Sequence, residues 1–139
     1  LLDFGCGNGQ FIKEVQSKYK CYGVEYDLET IKKCKKSIKN AYFFHNTIIY
    51  KKKFINFFDL VHLGDVLEHV VDPINLLYKL EKIIKKNGLL YVEGPIERNF
   101  SVVNFSIILF GNIKKFLKPN LKNNFMPYHL YFCNFNNAL

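Results

Sequence analysis

The stretch Leu1-Leu2-Asp3-Phe4-Gly5-Cys6-Gly7-Asn8-Gly9 limits this chain to few architectures. Its first four residues read as the end of a buried strand, and the next five form a glycine loop. Over residues 10–18 the apolar Phe11, Ile12 and Val15 then fall on one helical face. A glycine loop between a strand and a helix lets a ligand approach the backbone where a Cβ would collide. A strand that ends in such a loop belongs in a sheet buried by helices.

The rest of the chain repeats that alternation. Cys21-Tyr22-Gly23-Val24-Glu25 reads as a second strand. Residues 28–39 read as a helix with Leu28, Ile31, Cys34 and Ile38 inward and lysines outward. Tyr42-Phe43-Phe44 and Phe58-Asp59-Leu60-Val61-His62-Leu63 are the third and fourth strands. Residues 73–86 are predicted as a helix, capped by Asp72, opened by Pro73 and stopped by Asn87-Gly88. Leu89-Leu90-Tyr91-Val92-Glu93 follows as a fifth strand. The predicted class is α/β: a Rossmann-like, doubly wound, mostly parallel sheet in a three-layer α/β/α arrangement. Right-handed crossovers place all the strand C-termini on one rim, where ligands bind. The glycine loop, Glu25, His45-Asn46 and Gly64-Asp65 all reach that rim. Residues 1–97 form the predicted ligand-binding core, and 98–139 a helical, aromatic and basic insertion on the acceptor side of the same domain.

Charge and cysteine content narrow the partners. The formal charge is +8, yet only Arg98 is arginine. Lys, Asn, Phe, Ile and Tyr make up 70 of 139 residues, the signature of A/T-rich codons. The basic excess is therefore read as mutational bias, and nucleic acid is not the expected partner, since its readers favour arginine. Residues 98–139 nonetheless carry five basic residues and no acid. No apolar run approaches the roughly 20 residues that span a bilayer, and the expected compartment is the cytoplasm. Cys6, Cys21, Cys34 and Cys133 show no Cys-x-x-Cys pair and no clustering with histidine, so they read as small hydrophobes and no metal is expected.

The spacing of the polar residues narrows the ligand. Gly5-x-Gly7-x-Gly9 is followed by Gln10, so the Gly-x-Gly-x-x-Gly dinucleotide fingerprint fails at its third position. Asp3 is an acid in an otherwise buried strand; it would repel a pyrophosphate and suits a cationic amino group on the ligand. Glu25, twenty residues after Gly5 at a strand end, can accept both hydroxyls of a ribose. His62, in mid-strand, reads as a core or sheet-facing residue without a role, and the apolar flanks of His129 favour packing.

Taken together these segments resemble the class I S-adenosylmethionine-dependent methyltransferases. The segment 1–9 resembles their first motif, and Tyr22-Gly23-Val24-Glu25 their acidic ribose site. Phe58-Asp59-Leu60-Val61 through Leu67-Glu68-His69-Val70 and Asp72-Pro73 resembles a subgroup with a Leu-Glu-His signature. Lys86-Asn87-Gly88-Leu89-Leu90 stands where that subgroup has a Lys-Pro-Gly-Gly turn, and His129-Leu130-Tyr131-Phe132 is similar to its His-Leu-x-x-Phe segment. The resemblance implies S-adenosyl-L-methionine as cofactor. Gly5, Cys6, Gly7 and Gly9 would wrap its methionine part, and Asp3 would organise the loop and the amino group. Glu25 would hold the ribose, with Tyr26 beside the adenine. Asn46 would accept from the adenine amino group through its amide oxygen. Leu63 and Gly64 would make backbone contacts beside the sulfonium. His69 is the candidate general base, or else a residue that ties its loop.

The leading expectation is methyl transfer to a small-molecule acceptor, at oxygen before carbon or nitrogen, with a sugar, quinone precursor or glycan intermediate implied by the subgroup. An RNA methyltransferase is the first alternative, but the fourth strand lacks the Asn/Asp-Pro-Pro-Tyr loop of amino-methylating nucleic-acid enzymes. A non-catalytic cofactor-binding module is the second. The chain is also expected to be a fragment, because the family places a helix before the first strand and two strands beyond the fifth.

Overall fold

The computed structural model describes residues 1–46 and 51–94. The predicted acceptor-side segment 98–139, with His129 and Cys133, lies outside the described residues. Leu1–Gly94 forms one compact unit. Its elements run β1 (Leu2–Phe4), α1 (Gln10–Val15), β2 (Cys21–Glu25), α2 (Leu28–Ser37), β3 (Ala41–His45), β4 (Phe58–Gly64), α3 (Pro73–Glu81) and β5 (Ile84–Glu93). Short 3₁₀ turns at Lys52–Phe54 and Leu67–His69 flank β4.

The strands form one sheet in the order β3-β2-β1-β4-β5, with every pairing parallel. Parallel neighbours require crossovers, and α1, α2 and α3 supply them. The switch in strand order falls beside β1. β1 is central and only three residues long, yet Leu2, Asp3 and Phe4 are all buried. Burial on both faces makes the interior two-sided. One cluster gathers Leu2, Phe4, Val24, Phe58, Leu63, Leu76 and Leu80; the other gathers Cys6, Ile12, Cys21, Ile31, Cys34, Ile38 and Phe43. Cys6, Cys21 and Cys34 are free thiols within this interior, packed as small apolar groups.

The helices follow their local chemistry. Asp27 caps α2 by accepting from the Glu29 and Thr30 amides, and Asp72 caps α3 by accepting from Asn75. Two sequence expectations are corrected. Leu28 does not face inward: it sits in the first turn of α2, 58% exposed. The helix predicted over 73–86 ends at Glu81, and Asn87-Gly88 lies inside β5 instead of stopping a helix. The cause is the demand of β4's first residues for partners. The amides of Asn56, Phe57 and Phe58 donate to the carbonyls of Lys82 and Ile83, which pulls the chain out of the helix. Phe58 then pairs with Ile84 while Leu60 pairs with Leu89, so a bulge around 85–88 takes up the lysines.

Candidate functional site

Parallel pairing brings the C-terminal ends of β1, β2, β3 and β4 to one rim, and a cavity of about 390 Å³ opens there. Its wall includes Phe4 and Gly5 from β1 and its loop, Val24, Glu25 and Tyr26 from β2, Asn46 after β3, and Asp65, Val66, His69 and Val70 after β4. A cavity of this size suits a small organic ligand.

The glycine loop is shaped by its neighbours. Gly5 has φ +82, and a Cβ there would stand 2.5 Å from the Val66 methyl Cγ2. Only glycine combines that backbone with that contact. Gly7 (φ +49) faces open space, so the backbone on its exposed side is accessible. Gly9 precedes α1 in the same left-handed region. The thiol of Cys34 donates to the Gly7 carbonyl at 3.3 Å, fastening the loop to α2. Burial pushes the Cys6 thiol well up, which keeps it protonated and unreactive.

Glu25 is the electrostatic centre of the rim. Its Oε2 accepts from the Gly7 amide at 2.9 Å, and its Oε1 accepts from the amides of Tyr26 at 2.7 Å and Asp27 at 3.2 Å. Three of its roughly four lone-pair sites are thus engaged by backbone, leaving capacity for a ligand hydroxyl. Tyr26 lines the cavity and meets the His45 ring at 5.7 Å. Asn46 Oδ1 is buried and accepts no hydrogen bond among the described residues. A buried carbonyl oxygen without a donor is costly, and its place in the cavity wall suits a ligand N–H.

Gly5, Glu25, Tyr26, Asn46 and His69, five of the residues singled out from sequence, therefore meet in one wall. Asp3, Cys6, Gly7, Gly9, Leu63 and Gly64 lie outside it. Leu63 is fully buried in the interior. Asp3 has a partner within the chain: it is buried, and its Oδ1 stands 2.7 Å from Nδ1 of His62, the histidine to which the sequence assigned no role. Burial raises the Asp3 carboxyl above its ordinary range, and the His62 hydrogen bond opposes that rise. Nothing local in the sequence announces this pair, because it depends on the register that sets Asp3 beside His62. Among the described residues no cluster of His, Cys, Asp or Glu could hold a metal ion, and no helix is long and apolar enough to cross a membrane.

The methyltransferase domain family matches residues 1–101. Among solved structures, the YcgJ protein of Bacillus subtilis aligns over 99% of this chain and 56% of its own, with TM-score 0.68 and 15% identity. An S-adenosylmethionine-dependent methyltransferase of Mesorhizobium loti aligns over 68% of this chain and 45% of its own (TM-score 0.60, 15% identity). The plantazolicin methyltransferase BpumL, solved with S-adenosylhomocysteine, aligns over 66% and 37% (TM-score 0.58, 22% identity). These likenesses show a shared fold. The alignments span about half of those chains or less. No curated protein sequence matches the chain.

Proposed function

The chain belongs to the methyltransferase domain family, the class I S-adenosylmethionine-dependent enzymes, and from that premise we propose that it methylates a small-molecule acceptor at oxygen. The observation that carries this reading is the rim cavity, where the Glu25 carboxylate and the undonated Asn46 Oδ1 stand beside an accessible glycine backbone. These residues fit an adenosyl ligand. Glu25 has acceptor capacity for a ribose hydroxyl, Asn46 for an exocyclic amine, and Gly5 and Gly7 give the backbone room to approach the amino-acid part, with Gly9 and Cys6 holding the loop. Tyr26 offers an aromatic face beside the base.

When bound, the cofactor supplies a methyl group on a positively charged sulfur, already activated for in-line displacement. The protein's share is alignment and exclusion of water. Phe4, Val24, Val66 and Val70 make the apolar part of the wall. His69, on the turn after β4, takes the proton that a hydroxyl acceptor must lose. Leu63 and Gly64 end β4 next to that turn and set its position through backbone.

Calorimetry on the full chain tests the reading. S-adenosylmethionine and S-adenosylhomocysteine are expected to bind, and NAD is not. Glu25→Ala should weaken binding roughly 10- to 150-fold, the worth of a hydrogen bond to a charged group. Asn46→Ala should cost less, its bond being neutral. Binding of NAD without the adenosyl-sulfur ligands would overturn the proposal.

A further inference from the structure

Three titratable side chains from three neighbouring strands form a continuous line across one face of the sheet. Asp3 on β1 sits in register with His62 on β4, and His62 in register with Tyr91 on β5, with Glu93 two residues further on. His62 Nδ1 stands 2.7 Å from Asp3 Oδ1, and Nε2 stands 3.2 Å from Glu93 Oε1. The imidazole is buried, its ring lying between Phe11 of α1, at 4.2 Å between centroids, and Tyr91, at 5.7 Å. The Tyr91 hydroxyl donates to Glu93 Oε2 at 3.3 Å. Gly64 completes the enclosure, since a Cβ there would stand 3.0 Å from His62 Cε1 and 3.3 Å from Glu93 Oε1.

Counting donors fixes what this line must hold. An ionised carboxylate only accepts, so the 2.7 Å contact needs one proton on the Nδ1–Oδ1 line, which an imidazole Nδ1–H supplies. The Nε2 side meets Glu93 in the role the tautomer leaves it. A side chain at 62 that cannot donate would leave the buried Asp3 oxygen without its partner. Asp3 must then move, and Asp3 is two residues before Gly5. The Glu93 side chain is 54% exposed, so the line reaches water at that end.

We propose that His62 is a positioning residue for the glycine loop: its hydrogen bond with Asp3 keeps β1 seated beneath Gly5, so that the site's affinity for its cofactor depends on that bond. The proposal rests on the function proposed above for the cofactor half only. The groups that face the imidazole are Asp3, Glu93 and Tyr91, with Phe11 covering one ring face. Glu25 is the next acid felt by Asp3.

Two readouts separate this proposal from the function it deepens. His62→Gln keeps a donor for Asp3, and His62→Leu does not. Amide NMR on the ligand-free chain should find Gly5, Cys6 and Gly7 shifted in His62→Leu and close to their wild-type positions in His62→Gln. S-adenosylhomocysteine, which has no sulfonium charge, should bind about 5- to 150-fold more weakly to His62→Leu, an ordinary span for coupled sites, with His62→Gln restoring most of that loss. Loop amides and affinity in His62→Leu that match the wild type overturn the proposal, as does a His62→Gln variant no better than His62→Leu. Absence of S-adenosylhomocysteine binding to the wild type would sink the functional reading, while the loop amides would still decide the role of His62.

Discussion

Few residues settle what the rim can do, and a histidine on the turn after β4 stands among them. His69 lines the cavity from the turn Leu67–His69, whose geometry is fixed by the His69 amide donating to Val66 at 3.0 Å. If His69 acts as the general base, His69→Ala should cut turnover about 10²- to 10⁴-fold with cofactor affinity nearly intact. Melting curves beside the kinetics separate this from a loop tie, for which stability falls and turnover in the folded fraction holds. Glycine spacing and the strand-end acid made Gly5, Glu25 and Asn46 legible as rim residues, because each needs only a strand boundary to be placed. His62 was not legible. Its partners are 59 and 31 residues away, and only the register of three strands brings them together.

At the level of elements, alternation of strand and helix was readable because buried parallel strands are short, apolar and bounded by turn residues. β2 matches its expected span, Cys21–Glu25, residue for residue. The boundary between α3 and β5 was not readable. Four residues, Lys85-Lys86-Asn87-Gly88, satisfy a helix end and an exposed bulge equally well, and the choice is made by β4. One residue of β4, Asp59, runs against four of β5 between the pairs Phe58–Ile84 and Leu60–Leu89. Gly88 is what that bulge needs: a Cβ there would stand 2.9 Å from the Phe58 carbonyl oxygen and 3.1 Å from that of Asp59. These are backbone atoms and cannot step aside. Gly88→Ala should therefore destabilise the fold by about 1–3 kcal/mol, the usual cost of overpacking. Denaturant melts would check it, and an unchanged midpoint would mean that the bulge yields.

For the molecule as a whole, the buried acid under the loop sets a sign on the response to pH. Burial raises the Asp3 carboxyl, so between its ordinary value and the raised one the folded chain holds more protons than the unfolded chain. Its contribution is then fully present at low pH and is lost as pH rises through the raised value. The stability of the wild type minus that of Asp3→Asn should accordingly fall as pH climbs from about 4, reading Asp3 from its ordinary range. Denaturation at a series of pH values measures it, and a difference that rises or stays flat would contradict the assignment.

The order β3-β2-β1-β4-β5 also dictates a timetable. β1 is the first strand in the chain and the middle strand of the sheet, flanked by a neighbour 20 residues later and another 59 residues later. Closing the longer of those loops precedes any reward from the contacts it makes, and sheets built on such distant pairings fold slowly. The β1–β2–β3 half can associate early, but Val66, which shapes Gly5, and His62, which partners Asp3, arrive only with β4 and the turn after it. The ligand cavity is thus complete only once β4 is in place. A ligand added during refolding is expected to stabilise the finished product without hastening its formation, which refolding rates with and without ligand would check.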